Sequence, residues 1–385
     1  MARGVCLYFA SIDWGHTWQR PQQLAVRLAQ RFEVVYVEPL GLRRPRLRDL
    51  ARLFRGGAAG NPDGAIAGLA RHPREPYLPW PGVDWVERWN GRRLARALRR
   101  RLGDGPVSLA WVGVPSRAVL AALQAWPDAP VVYDGLDDFA AFHGDSAFVR
   151  ETEARCVRGA RLALATSALL EQRLRALNPA TERLPNAADV ALFAAALDAP
   201  APPELASLGR PIAGYCGELG PWFDSHGLAG LARARPDVAF VLVGPVAAEA
   251  RRALRGLANV RLIGPRPYAE VPAWVARFDV ALVPFKPGAL TAAVNPIKVY
   301  EHLAVGAPIV ATGLPDLEPF AALGLVRLTT LAGLPAAFDE ALAERDPALR
   351  LARRREAESH TWEACAARLF ALLEARGLLP AQAPA

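Results

Sequence analysis

The stretch that decides the fold runs from residue 279 to residue 312. It opens with DVALVPFK (279–286), crosses a loop, and continues as NPIKVYEHLAVGAPIVAT (295–312). Val280–Val283 reads as a buried strand, since a short uncharged apolar run suits a strand covered on both faces. Pro284 and Pro287 end it. Asn295 is a favoured N-cap and Pro296 suits the first helical position. The helix should then run to about Val305 and stop at Gly306, where a missing Cβ permits a left-handed residue. Ile297, Tyr300 and Leu303 or Ala304 form its core face. A second apolar strand, Ile309–Thr312, follows. Strand, helix and strand in so short a span make a parallel crossover unit.

The same stretch holds both lysines of the chain, Lys286 and Lys298, although Lys and Arg together number 46. A compact ammonium and a guanidinium are not interchangeable where a point charge meets a phosphate. Lys298 lies in the first helical turn, where the helix dipole disfavours a cation. An anion bound at the helix start would resolve that conflict, because unpaired amide N–H groups point there. Glu301 stands three residues on, on a neighbouring face. It could accept two hydrogen bonds from a ribose, so that the pair would hold a nucleoside diphosphate from both ends. An i,i+3 salt bridge on a solvated helix is the plain alternative.

Outward from this segment the alternation of strand and helix continues, which predicts α/β architecture with parallel sheets. Apolar runs at Val5–Phe9, Val34–Val37, Val107–Val112, Val131–Tyr133 and Leu162–Ala165 form a first set. A second set comprises Ile212–Cys216, Val238–Val243, Val260–Ile263, Val280–Pro284 and Ile309–Thr312. With 385 residues the chain exceeds the roughly 250–300 at which single cores stop growing. Two Rossmann-like domains are therefore expected, facing each other across a cleft. The expected boundaries are 1–195, completed by a C-terminal helix at 359–378, then an Ala/Pro-rich linker at 196–210, then 211–358. Ligands in such sheets bind beyond the carboxyl ends of the strands.

The motif NPIKVYEHLAVGAPIVAT resembles the donor-binding motif of glycosyltransferase family 4, usually P-x-K-x-x-E-x-x-A-x-G-x-P-V-V-A. The similarity is nearest to the subgroup that builds bacterial cell-surface polysaccharides, such as teichuronic acid. DWGHTWQRPQQLAVRLAQ (13–30), VVYDGLDDFAAF (131–142), GYCGELGPWFD (214–224), LIGPRPYAEVPAWVARFDVALVPF (262–285) and SHTWEACAARLF (359–370) resemble further stretches of that subgroup in the same order. The resemblance implies the GT-B fold. It also implies transfer of a sugar from a nucleoside-diphosphate sugar to a glycan or lipid-linked acceptor, with retention at the anomeric carbon and without a metal or other cofactor. Glu301 would bind the donor ribose. Lys298, Asn295 and the helix start would face the diphosphate, with Tyr300 beside them. Gly217 and Glu218 would form the loop next to phosphate and sugar, and Arg266 and Lys286 are further cations for the donor. His16 falls where the family often contacts the transferred sugar, with Asp13 and Trp14 on the acceptor side. Two departures stand out. The family's earlier glutamate, eight residues before Glu301, is Ala293 here. Its Arg–Lys pair after the first strand of the second domain is also missing, with Trp222 and Asp224 about where it would lie.

The remaining candidates are read from residue chemistry. Asp134, Asp137 and Asp138 follow a strand end, where a carboxylate could act as general base or bind an acceptor amine. Turn and cap chemistry explains Asp at such places equally well. Asp137 is the candidate general base, His16 and Lys298 are the other catalytic candidates, and Asp134 is placed on the acceptor side. Trp14 and Trp18 could stack on a sugar or staple their loop. Seven arginines in Arg88–Arg101, interleaved with Trp85 and Trp89, read either as an element for an anionic membrane surface or as a solvated basic face. Arg43–Arg55 adds to the basic character. The net charge of +8 fits an anionic partner, but no nucleic-acid-reading module appears. Gly214-x-x-Gly217-x-x-Gly220 is not a dinucleotide fingerprint. Four scattered cysteines suggest a reducing compartment, and Val5–Ala10 lacks a cationic leader, so a cytoplasmic protein is expected, peripheral to the inner membrane face. The rival readings are a sugar-nucleotide epimerase of the same fold and a non-catalytic sugar-nucleotide or membrane-surface binding protein.

Overall fold

The computed structural model describes residues 3–40, 66–78, 80–103, 105–142, 146–206, 208–209 and 211–380. The stretch Arg43–Arg55 lies outside the described residues. Contacts divide the chain into two compact units, Met1–Leu184 with Ala366–Ala385, and Pro185–Cys365.

In the first unit, β1 (Val5–Phe9), β2 (Glu33–Val37), β3 (Leu69–His72), β4 (Val107–Val112), β5 (Val131–Gly135), β6 (Leu162–Ala165) and β7 (Thr181–Arg183) form one sheet. Its order is β3-β2-β1-β4-β5-β6-β7, and every pairing is parallel. The central strands are mainly apolar, as suits a parallel sheet covered on both faces. Tyr8 lies at their middle, stacked between Tyr36 and Trp111 at 5.4 and 5.5 Å. The order reverses between β1 and β4, which makes that gap the switch point of the sheet.

The second unit repeats the plan. β8 (Ile212–Cys216), β9 (Ala239–Val243), β10 (Val260–Gly264), β11 (Val280–Pro284), β12 (Ile309–Thr312) and β13 (Val326–Thr329) pair in the order β10-β9-β8-β11-β12-β13. All five pairings are parallel. The switch point here lies between β8 and β11. Gly214 in β8 allows the Phe278 ring to press on the strand, since a Cβ there would sit 2.1 Å from the ring.

The segment expected as a linker belongs to this second unit. Leu205, in the helix Pro203–Ala206, buries its side chain in its core, as does Phe193 just before the segment. The division falls instead at Leu184/Pro185. The closing helix starts at Trp362, not at Ser359. Ser359 is the C-cap of the preceding helix Pro347–Glu358, and the Thr361 hydroxyl accepts from the Ala364 amide.

Candidate donor site at the switch point of the second sheet

The helix Ile297–Val305 forms as its sequence dictates, and Gly306 ends it with φ 78° in the left-handed region. Two details differ from expectation. The N-cap is Pro296, and no side chain caps the helix. Asn295 is buried and engaged elsewhere: its Nδ2 donates to Tyr300 Oη at 2.9 Å and Asp316 Oδ2 at 2.6 Å. Its Oδ1 accepts from the Asn186 amide at 2.9 Å, and its carbonyl accepts from Asn186 Nδ2 at 2.6 Å. The helix is also buried all round from Val299 to Val305, leaving Ile297 only half-covered. Helices Val190–Ala195 and Pro347–Glu358 flank it, so one apolar stripe does not describe it.

This placement removes Asn295 and Tyr300 from direct donor contact. The Tyr300 phenol is spent on Asn295, and its ring packs against Phe320 and His360 at 5.9 and 5.0 Å. Both residues fix the helix start rather than present atoms to a ligand.

Lys298 and Glu301 remain. The Lys298 ammonium lies 5.4 Å from the Tyr215 ring centroid and 4.9 Å from that of Phe285. Tyr215 belongs to β8, and Phe285 follows β11, so the cation stands over the switch point. Aromatic faces attract it and hold it in place. Glu301 is 7% exposed and has neither a hydrogen bond nor an ion pair among the described residues, which disposes of the i,i+3 salt bridge. Burial pushes its carboxyl up to about 7, Lys298 pulls it down, and Asp189 raises it further. A buried carboxylate without a donor is costly unless a ligand supplies one.

The loop after β8 completes the site. Gly217 has φ 143°, and a Cβ on it would lie 2.9 Å from Lys298 Cε. Its amide donates to the Val243 carbonyl at 2.8 Å. Gly244, φ 137°, closes on it so tightly that a Cβ would meet the Gly217 oxygen at 2.1 Å. The Glu218 side chain is exposed, while its carbonyl accepts from Tyr215 Oη at 2.9 Å. Sequence reasoning missed Gly244 and Asp189. Gly244 could have been found, because a glycine directly after an apolar strand marks a close backbone approach. Asp189 becomes a neighbour only through folding.

The other cations stand on loops after neighbouring strands, each already engaged. Lys286 Nζ pairs with Glu249 at 3.2 Å. Arg266 pairs with Glu204 at 3.1 Å and covers the Trp274 ring at 5.5 Å. Asp224 caps the helix Ser225–Ala234 by accepting from the Gly227 amide at 3.0 Å.

In the first unit the loop after β1 carries Asp13, Trp14 and His16 at the switch point of that sheet. His16 is exposed. Asp13 pairs with Arg74. Trp14 is 2% exposed and packs edge-on against Trp18 and Tyr36, so it staples the loop and offers no sugar a stacking face. Asp134 is also taken. It is fully buried and accepts from Arg20 Nη2 at 2.8 Å and from Arg20 Nε at 3.1 Å. It therefore anchors the helix Arg20–Leu28 and has no surface for an acceptor. Asp138 accepts from the Ala141 amide at 3.1 Å and from Arg173, which is cap chemistry. Asp137 is half-buried beside them. A depression lined by Tyr77, Glu87, Asn90, Ser116, Arg117 and Phe148 opens next to the loop that follows β4. Among the described residues no group of three His, Cys, Asp or Glu side chains is placed to hold a metal, and no helix is long and apolar enough to cross a membrane.

Residues 214–343 match the family model described as Glycosyl transferases group 1, which bears out the resemblance read from the sequence. TuaH of Bacillus subtilis (strain 168), named as a teichuronic acid biosynthesis glycosyltransferase, is 28% identical over 222 residues, covering 54% of this chain and 55% of that protein. The chain thus spans about half the length of the curated relative it matches. Among solved structures, the sucrose-phosphate synthase of Thermosynechococcus elongatus aligns with TM-score 0.70 at 16% identity, over 97% of this chain and 98% of that one. Anabaena Alr3699/HepE, in complex with UDP-glucose, aligns with TM-score 0.65 at 16% identity, over 97% and 99%. The fold is therefore GT-B, with the two Rossmann-like units described above.

Proposed function

We propose that the chain is a glycosyltransferase that moves a sugar from a nucleoside-diphosphate sugar to a glycan or lipid-linked acceptor of a cell-surface polysaccharide. The observation that carries this reading is the Lys298 ammonium held over Tyr215 and Phe285 at the switch point, with the buried, unpartnered Glu301 one turn along. Glu301 accepts the ribose hydroxyls. Lys298 faces the diphosphate, where charge develops as the sugar leaves. Gly217 and Gly244 let backbone approach phosphate as a side chain would not. Lys286 and Arg266 add positive potential around the site.

On the acceptor side, the candidates are His16, exposed in the loop after β1, and Asp137, half-buried after β5. The reading assigns charge neutralisation to these cations with no cofactor beyond the nucleotide sugar, and retention as the stereochemical course. Relatives with UDP or UDP-glucose bound make uridine nucleotides the first donors to try. Four buried free cysteines accord with a cytoplasmic setting.

The test is nucleoside-diphosphate release from a panel of nucleotide sugars, with and without a bacterial glycolipid fraction. Release should require the acceptor, and Lys298→Ala should lower kcat by roughly 10²–10³-fold, as for loss of one transition-state donor. Conversion of donor without acceptor would indicate an epimerase, and binding without turnover a carrier.

A further inference from the structure

The helix Asp84–Leu102 is packed on one side only. Val86, Leu94, Ala97 and Leu98 are buried on the side that packs against the helix Arg117–Leu123. Gly91 sets the closest approach, since a Cβ there would lie 2.5 Å from the Ala118 carbonyl. That contact fixes which residues face outward. At 100° per residue, Arg88, Arg92, Arg96, Arg99, Arg100, Trp85 and Trp89 fall within one third of the circumference. All seven are exposed.

Three features of this face go together. It holds no carboxylate. The two acids of the first turn are drawn aside, Asp84 to Arg117 at 2.6 Å and the buried Glu87 to the Gly82 amide at 3.2 Å. Arg88, Arg92, Arg96 and Arg100 follow at four-residue intervals, a spacing at which like charges repel and destabilise the helix. Large apolar groups stand among them: Trp85 is 59% exposed and Trp89 41%, and the turn just before the helix adds Trp80 at 51% and Val83 at 36%. A helix face made only for water gains nothing from exposed indoles or from an unrelieved ladder of cations. An interface of anionic headgroups over hydrocarbon satisfies both, because indole sits at the headgroup level and arginine stems can lie along apolar surface.

We propose that this face seats the first unit on an anionic lipid surface, with Trp80, Val83, Trp85 and Trp89 entering the interface and Arg88, Arg92, Arg96 and Arg100 meeting lipid phosphates. The proposal stands apart from the glycosyltransferase reading, since it concerns no residue of the donor site. The full chain is sedimented with vesicles of phosphatidylcholine alone and of phosphatidylcholine mixed with phosphatidylglycerol. Binding should be confined to the mixed vesicles and should weaken as salt screens the charges. Arg88→Gln/Arg92→Gln/Arg96→Gln should lower the partition coefficient by roughly two orders of magnitude, at about fivefold for each arginine near the surface. Trp85→Ala/Trp89→Ala should lower it as well. Both variants change exposed side chains, and an unaltered circular dichroism spectrum confirms that they fold. Equal binding to both vesicle types, no binding to either, or unchanged binding of the variants would overturn the proposal. So would duplex DNA that displaces the vesicles.

Discussion

Glu301 shows what a single residue can disclose. Burial raises its carboxyl from 4.5 to about 7, so the folded chain holds this proton where the unfolded chain has lost it. Stability from this group is then greatest below the unfolded value and falls as pH rises from about 4.5 to about 7. The full difference is about 3 kcal/mol. Glu301→Gln removes that dependence. Denaturant melts of the two proteins should therefore diverge with pH, the variant gaining by up to about 3 kcal/mol relative to wild type between about pH 4.5 and about pH 8. A difference independent of pH would contradict the burial argument. Glu301 as a candidate was legible from its spacing to Lys298. That Asn295 and Tyr300 serve the fold was not, because their partners Asn186, Asp316 and His360 come from segments far away in the sequence. Trp14 and Asp134 follow the same rule: each reads as a loop or strand-end candidate, and each is claimed by a neighbour that only folding supplies.

At the scale of elements, the sequence pattern identified every central strand and one edge strand, β10, and missed β3, β7 and β13. These three are the other edges of the two sheets. Their sequences, LARH, TER and VRLT, lack an apolar run because an edge strand is covered on fewer sides and polar residues there discourage further pairing. The glycines after the strands carry a comparable lesson. Gly217, Gly244 and Gly313 follow strands of the second sheet with positive φ, and Gly264 ends one; a Cβ on Gly244 would meet the Gly217 backbone and one on Gly313 the backbone of Phe285 and Pro287. Gly244→Ala should therefore push the Gly217 loop off Lys298 and lower nucleotide affinity at least tenfold, while Gly264→Ala, with open space around it, should cost backbone strain alone. Fluorescence titration with a nucleotide analogue distinguishes them. Equal affinities for the two variants would mean that the close approach plays no part in binding.

For the whole molecule, two units of similar plan fit a chain too long for one core, and the boundary moved because a few apolar side chains outweigh an Ala/Pro-rich composition. The donor account needs only the second unit. Its central claim is that Lys298 and Glu301, at the switch point between β8 and β11, bind a nucleoside diphosphate. Calorimetric titration of UDP and GDP into the full chain and into Glu301→Ala tests it most directly. The account predicts selective binding of one nucleotide, weakened in the variant by about 1.5–3 kcal/mol, the worth of a hydrogen bond to a charged group. Binding of equal strength in the variant would contradict it, as would the failure of every nucleoside diphosphate to bind.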